Sequence, residues 1–313
     1  MPLPAGSSAN QTTPTLAATG PHAQVPVQVC AAATPHRTVH TGATSATLWP
    51  LYTPDSPHAK HALAAEVLTY GPATGTPVVF LHGLVGLNDH WEDLVDRVKP
   101  RLRCVLLEMP LLDIPGEDCS IEAVTRITER FMREQIGQPA VLVGNSFGGH
   151  VALRLAIEQP HMVKGLVLAG SSGLIEKSLV STVEIRPTRS WLKTKIDELY
   201  FDPSNVRDQD VDRAFEALSR PRGARAMVKL SRSARRDVLR SQVGKITAPT
   251  LLVWGRQDVV TPPEAAEGFA QLIPSARLVW ADRCGHVPMA EGTETFAREL
   301  LAFCERLGVA PGA

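Results

Sequence analysis

Residues 140–150 read Ala140-Val141-Leu142-Val143-Gly144-Asn145-Ser146-Phe147-Gly148-Gly149-His150, and this stretch decides the fold. An apolar run of strand length ends at Gly144, a serine follows two residues later, and Gly148 follows two residues after that. A Gly-x-Ser-x-Gly turn between strand and helix needs those glycines, because a Cβ at either would collide with the neighbouring backbone. The turn lifts the Ser146 hydroxyl above the end of a sheet. A helix starting at Phe147 then brings unpaired N–H groups and its positive dipole end to the place where an oxyanion would form.

Outward from this elbow, strand-like and helix-like runs alternate. Strands are expected at 78–81, 104–107, 141–143 and 165–168, and helices near 91–98, 120–136 and 147–158. Such alternation predicts right-handed βαβ crossovers and a parallel sheet with helices on both faces. Val151, Ala152, Leu155 and Ala156 form an apolar stripe on the elbow helix, and Ser120 is a fitting cap for the helix before it. Between 171 and 247 no strand-like run occurs, and the segment reads as helices over 191–200, 208–218 and 223–239.

Four separated segments, covering roughly residues 63–305, together resemble the α/β-hydrolase superfamily. They are Pro77-Val78-Val79-Phe80-Leu81-His82-Gly83-Leu84-Val85-Gly86, the elbow, Pro249-Thr250-Leu251-Leu252-Val253-Trp254-Gly255-Arg256-Gln257-Asp258, and Ala276-Arg277-Leu278-Val279-Trp280-Ala281-Asp282-Arg283-Cys284-Gly285-His286. The resemblance implies an α/β fold: a mostly parallel eight-stranded sheet flanked by helices, with strands near 45–52 and 64–70 forming an antiparallel edge. It also implies a helical lid at 171–247 inserted between a first core part at 46–170 and a second at 248–313. Residues 1–45, rich in Ala, Thr, Pro and Ser without periodicity, are expected to be a disordered extension.

The chemistry of the three catalytic candidates is mutually dependent. A serine hydroxyl is a poor nucleophile near neutral pH and needs a base, while the base needs a carboxylate to fix its tautomer. Ser146, His286 and Asp258 fit those roles, and each follows a strand, so a parallel sheet would bring them to its carboxyl edge. Their chain order is the superfamily's. The backbone N–H groups of Leu84 and Phe147 are the candidate oxyanion donors, with His82, Gly83, Gly144 and Gly148 supporting the turns. Glu108 and Asp282 are the rival acids. His90 lies near the expected pocket entrance, and Cys284 reads as a small packed cysteine more readily than as a reactive thiol.

Composition excludes several function classes. Across 313 residues, 32 basic and 32 acidic side chains leave no global field for nucleic acid. No apolar run reaches the roughly 18 residues that would span a bilayer. Five cysteines without a Cys-x-x-Cys pair suggest neither a disulfide framework nor zinc, and a reducing, cytoplasmic compartment is expected. A secretory leader is not expected at the amino terminus. Neither is a metal or cofactor: His58 and His61 lack a third ligand nearby, and the glycine-rich turns lack a P-loop lysine. Residues 186–245 do carry 15 Lys or Arg against 8 Asp or Glu. Such a basic segment either forms a solvated outer face or attracts a substrate carboxylate, for which Arg186 and Arg189 are the candidates.

The elbow Gly-Asn-Ser-Phe-Gly-Gly-His and the Gly-Arg-x-Asp segment are similar to those of hydrolases that cleave carbon–carbon bonds in ring-fission products. The first loop is less glycine-rich than is common there, and the run after the histidine differs. The leading expectation is a serine hydrolase acting through an acyl-enzyme on a small carboxylic ester or related acyl substrate. Alternatives are a carbon–carbon hydrolase of a vinylogous diketone acid, a cofactor-free perhydrolase or haloperoxidase, and a non-enzymatic ligand receptor. The same triad serves all the catalytic readings, so it does not separate them. The sequence leaves the oligomeric state open.

Overall fold

The computed structural model describes residues 42–86, 88–176 and 187–309. Most of the expected disordered extension lies outside these residues; the described chain enters its first strand at Ser45. Eight strands form one sheet: β1 (Ser45–Pro50), β2 (Ala64–Tyr70), β3 (Pro77–Leu81), β4 (Arg103–Glu108), β5 (Ala140–Asn145), β6 (Val163–Ala169), β7 (Thr250–Gly255) and β8 (Ala276–Ala281). Their order is β1-β2-β4-β3-β5-β6-β7-β8. The β1–β2 and β2–β4 pairs are antiparallel and every other pair is parallel, as expected for an antiparallel edge on a parallel sheet.

Strands β3, β5 and β7 are buried along their whole length, which is why they read as continuous apolar runs instead of alternating ones. Their residues still divide between two faces. Val79, Leu81, Leu142, Leu252 and Trp254 enter one core, and Val78, Phe80, Val141, Val143, Leu251 and Val253 enter the other. Helices α1 (Glu92–Val98), α2 (Ile121–Phe131) and α3 (Phe147–Glu158) precede β4, β5 and β6. The second core is closed by Leu94, Val95 and Val98 of α1 and by later residues Phe296, Leu300 and Phe303; the first is closed by Phe131 of α2 and Val151, Ala152 and Leu155 of α3.

Between β6 and β7 the chain leaves the sheet and forms α4 (Arg189–Asp197), α5 (Asp208–Ser219) and α6 (Pro221–Arg236). The three expected helices are present with shifted bounds. Helix α4 begins two residues early because Thr188 caps it, accepting from Trp191 N–H at 3.1 Å. Helix α6 begins at Pro221, whose missing N–H is harmless in the first turn, and stops at Arg236 instead of running to 239. Its stop has a cause: the Asp237 carboxylate is drawn back to the core by His150 Nε2 at 3.0 Å and Arg154 at 2.8 Å. Two residues on, Leu239 N–H donates to Gly173 O at 2.8 Å, bringing the insertion's exit beside its entrance. The chain then completes α7 (Pro263–Leu272), α8 (Pro288–Glu291) and α9 (Thr293–Arg306). No described helix is long and apolar enough to cross a membrane.

Candidate active site

Ser146 stands between β5 and α3 with φ 53° and ψ −118°. A positive φ is costly for a residue with a Cβ, of order 1–3 kcal/mol, and persists only where the surroundings enforce it. Here they do. A Cβ at Gly144 would lie 2.6 Å from Gly148 O, and one at Gly148 would lie 2.3 Å from Leu81 O, so neither arm of the turn admits a side chain. The serine backbone is also tied down: its N–H donates to Ala169 O at 3.2 Å, and its carbonyl accepts from Ser172 N–H at 3.2 Å and His150 N–H at 3.1 Å.

The candidate acid and base meet beyond β7 and β8. His286 Nδ1 lies 2.9 Å from Asp258 Oδ2, and both residues are buried. The carboxylate also accepts from Val260 N–H at 2.8 Å and Thr261 N–H at 2.9 Å on Oδ1, and from Thr261 Oγ1–H at 2.8 Å on Oδ2. So many donors fix the orientation of the Asp258 carboxyl group, and its acceptor oxygen fixes the proton of His286 on Nδ1, leaving Nε2 as the basic nitrogen. Burial pushes the imidazole pKa down, but the Asp258 charge and hydrogen bond, aided by Glu176, outweigh it and hold the pKa above its usual value. Gly170, at φ 53°, leaves room for this pair, since a Cβ there would lie 3.0 Å from His286 Nδ1 and 3.1 Å from Asp258 Oδ2.

The rivals are engaged elsewhere. Asp282 is exposed and pairs with Arg256 at 2.6 Å, and Glu108 accepts from Asn88 N–H at 2.8 Å. Cys284 is fully buried, and burial pushes its thiol pKa up, which fits a packed cysteine.

Three residues that sequence reasoning did not assign organise the histidine. Asn145, the variable elbow position, donates its amide to Ala169 O at 2.9 Å and to His286 O at 3.1 Å. Glu291, at the end of α8, accepts from Gly285 N–H at 2.8 Å and from insertion residues Phe201 and Asp202, each through its N–H at 2.9 Å. The third, Glu176, lies on the loop after β6; burial raises its carboxyl pKa, His286 and Arg235 oppose that rise, and its Oε2 is buried with no hydrogen-bond partner among the described residues.

The first loop folds against the elbow. A Cβ on Gly83 would approach Ser146 Cβ and Asn145 Oδ1 to 3.3 Å, and Gly86 N–H closes the turn onto Gly83 O at 3.1 Å. His82 supports that loop from behind: Nδ1 donates to Gly83 O at 2.7 Å while Nε2 accepts from Met109 N–H at 3.0 Å. A carbonyl only accepts and an N–H only donates, so these partners specify a neutral ring, and burial lowers its pKa to about 4.

Just beyond that loop, Asp89, His90 and Asp210 bring ligand atoms together as a metal site would. Two guanidinium groups already occupy this cluster. Arg213 lies 2.7 Å and Arg207 3.2 Å from Asp89, and Arg207 lies 2.9 Å from Asp210, so the charges close as an ion-pair network joining the first loop to α5. Arg189 is likewise committed within the insertion, at 2.6 Å from Asp212 and 3.3 Å from Asp208 on the exposed surface. The structure therefore does not bring Arg189 to the triad, because two nearer carboxylates take its fork. Arg186 lies outside the described residues. Arg222, Arg225, Lys229, Arg232 and Arg236 are exposed along α6, whose Ala226, Leu230 and Ala234 face the core.

The alpha/beta hydrolase family model matches residues 78–299. The chain is 30% identical to the pimeloyl-[acyl-carrier protein] methyl ester esterase of Nitrosomonas europaea, over 71% of this chain and 93% of the relative. It is 32% identical to the 2-hydroxy-6-oxo-2,4-heptadienoate hydrolase of Pseudomonas putida, over 74% of this chain and 90% of that one. Among solved structures, a serine hydrolase involved in carbazole degradation superposes with a TM-score of 0.68 at 24% identity, covering 78% of this chain and 96% of the other, a likeness of fold.

Proposed function

Because the chain belongs to the alpha/beta hydrolase family, we propose that it is a serine hydrolase that cleaves a small carboxylic ester or related acyl substrate through an acyl-enzyme on Ser146. The observation that carries this reading is the strained backbone of Ser146, a non-glycine residue at φ 53° on the strand-to-helix turn. Nothing in packing requires a serine there, whereas a nucleophile does require exposure at the mouth of a helix.

In this mechanism His286 Nε2 takes the hydroxyl proton as Oγ attacks the ester carbonyl. The resulting oxyanion is received by the N–H groups of Leu84 and Phe147, which are aimed before charge develops and so need no reorganisation. Collapse breaks the bond to the alkoxy group, which leaves as the alcohol with the proton from His286. Water, deprotonated by the same nitrogen, then hydrolyses the acyl-enzyme and returns the proton to Ser146. Asp258 stays ionised throughout and stabilises the imidazolium. The helices between β6 and β7 act as the lid over this pocket. A cytoplasmic setting belongs to the same reading, supported by the buried free thiols of Cys104, Cys119, Cys284 and Cys304.

Carbon–carbon bond hydrolysis of a vinylogous diketone acid is the second reading, favoured by the similarity to the heptadienoate hydrolase. A panel of p-nitrophenyl esters of increasing chain length, run beside such a diketone acid, separates the two. Ester turnover exceeding diketone turnover is expected, with fluorophosphonate labelling the wild type and sparing Ser146→Ala. Equal labelling of both proteins would remove the nucleophile assignment.

A further inference from the structure

The histidine turn is tied to the neighbouring strand's loop, where Cys284 N–H donates to Gln257 Oε1 at 3.0 Å, and also to the lid, through a carboxylate. Glu291 Oε2 accepts from Gly285 N–H, one residue before the catalytic histidine, at 2.8 Å, and from Phe201 N–H at 2.9 Å. Its other oxygen accepts from Asp202 N–H at 2.9 Å and Asn205 Nδ2 at 3.3 Å. A carboxylate that accepts four donors, three of them backbone groups from two separate segments, acts as a two-sided clamp, and each charge-assisted bond is stronger than a neutral one. The same two segments touch again at the catalytic residue, where His286 N–H donates to Leu199 O at 2.7 Å. They approach so closely that a Cβ on Gly285 would lie 2.5 Å from Leu199 O. Farther along the same lid segment, Arg207 and Arg213 grip Asp89 beside the first loop.

From this juxtaposition we propose that Glu291 is a positioning residue that makes seating of lid residues 199–205 and placement of His286 a single event. The inference rests on the serine hydrolase reading. With the lid seated, Gly285 and the backbone of His286 are both fixed, so Nε2 is aimed for proton transfer. With the lid lifted, Leu199 O and the lid donors leave together, and the imidazole loses its aim although Asp258 is untouched. Substrate that seats the lid would thereby complete the base.

Glu291→Gln tests this, because an amide keeps the size of the side chain but turns an NH₂ group toward backbone donors. The expected result is a fall in kcat for p-nitrophenyl acetate of about 10- to 100-fold, the scale of a small misplacement of a catalytic group, with KM nearly unchanged. The fluorophosphonate inactivation rate, which needs the same base, should fall by the same factor. Amide hydrogen exchange should quicken at 199–205 and 285–286. Asn205→Ala, which removes only the longest of the four bonds, serves as the milder variant if Glu291→Gln folds poorly, and should lower kcat in the same direction by about 2- to 3-fold. Folded variants with wild-type kcat and labelling rates would overturn the proposal and leave Glu291 a purely structural residue, and a raised KM with unchanged kcat would overturn it in favour of a pocket-shaping role. A wild-type protein that neither labels nor turns over ester would sink the serine hydrolase reading instead, and this proposal with it.

Discussion

His82 shows how much one side chain can decide when its partners are both backbone groups. Burial disfavours the charged imidazolium, so the pKa drops to about 4 from the ordinary 6.5, and the Met109 N–H aimed at Nε2 suits the neutral ring. The unfolded chain therefore binds this proton first as pH falls. Stability from the neutral ring is complete above pH 6.5 and is lost between about 6.5 and 4, a change on the order of 3 kcal/mol. Urea unfolding at pH 7 and pH 4.5 should record that loss in the wild type and a smaller one in His82→Asn; identical losses would place the acid sensitivity elsewhere. His286 shifts the opposite way. Its raised pKa means the base becomes available only as pH rises through a midpoint above 6.5, which kcat/KM should show as an acidic limb. Glu176 contributes to that rise, so Glu176→Gln should move the midpoint down, and an unmoved limb would dismiss Glu176 as a tuning group.

At the scale of elements, the end of β6 is as important as the strands that carry the triad. Gly170 follows β6 with φ 53° beside the Asp258–His286 pair, so Gly170→Ala combines a strained backbone with a methyl group 3.0 Å from His286 Nδ1. It should cost turnover about 10-fold or more by displacing the imidazole, and a variant crystal structure with an unmoved ring would contradict that account. Helix α6 offers the packing counterpart: Leu230 is fully buried, and Leu230→Ala should cost about 2–5 kcal/mol in thermal or urea unfolding. The elements themselves were legible because burial on two faces writes long apolar runs for strands and a 3.6-residue stripe for α3. The turn that carries Ser146 was legible because a strand-to-helix elbow imposes glycines at fixed offsets. Asn145, Glu176 and Glu291 were not, since each acts through space on a segment distant in the chain, and most of the groups that Asn145 and Glu291 bind are backbone atoms. The helix bounds were missed where a cap or an ion pair with the core, such as Asp237 to His150 and Arg154, overrides local propensity. The partners of Arg189, Asp208 and Asp212, were not legible for a related reason: a surplus of positive charge in sequence says nothing about which carboxylates stand beside it once the helices pack.

For the whole molecule, equal numbers of acidic and basic residues conceal an uneven distribution, with the positive excess gathered on the insertion between β6 and β7. Carboxylates bind that insertion to the core at Glu291 by the histidine turn, at Asp89 by the first loop, and at Asp237 above α3, among other contacts. Asp89→Asn should weaken the second of these without touching the triad, and limited proteolysis should then cut within 199–213 faster than in the wild type; an unchanged cleavage rate would mean the ion pairs add nothing to seating. The hydrogen bond from Leu239 to Gly173 carries a different consequence. Because the insertion leaves and re-enters the core at one point, it is a closed excursion, and the sheet does not register its length. In the language of recombination, this is a natural crossover point. Exchanging everything between Gly173 and Leu239 for the corresponding stretch of another family member needs only two junctions a hydrogen bond apart, and loop-closure entropy changes by merely about 0.6 kcal/mol for a doubling of the stretch. The insertion can therefore be replaced wholesale while the eight strands keep their order and register.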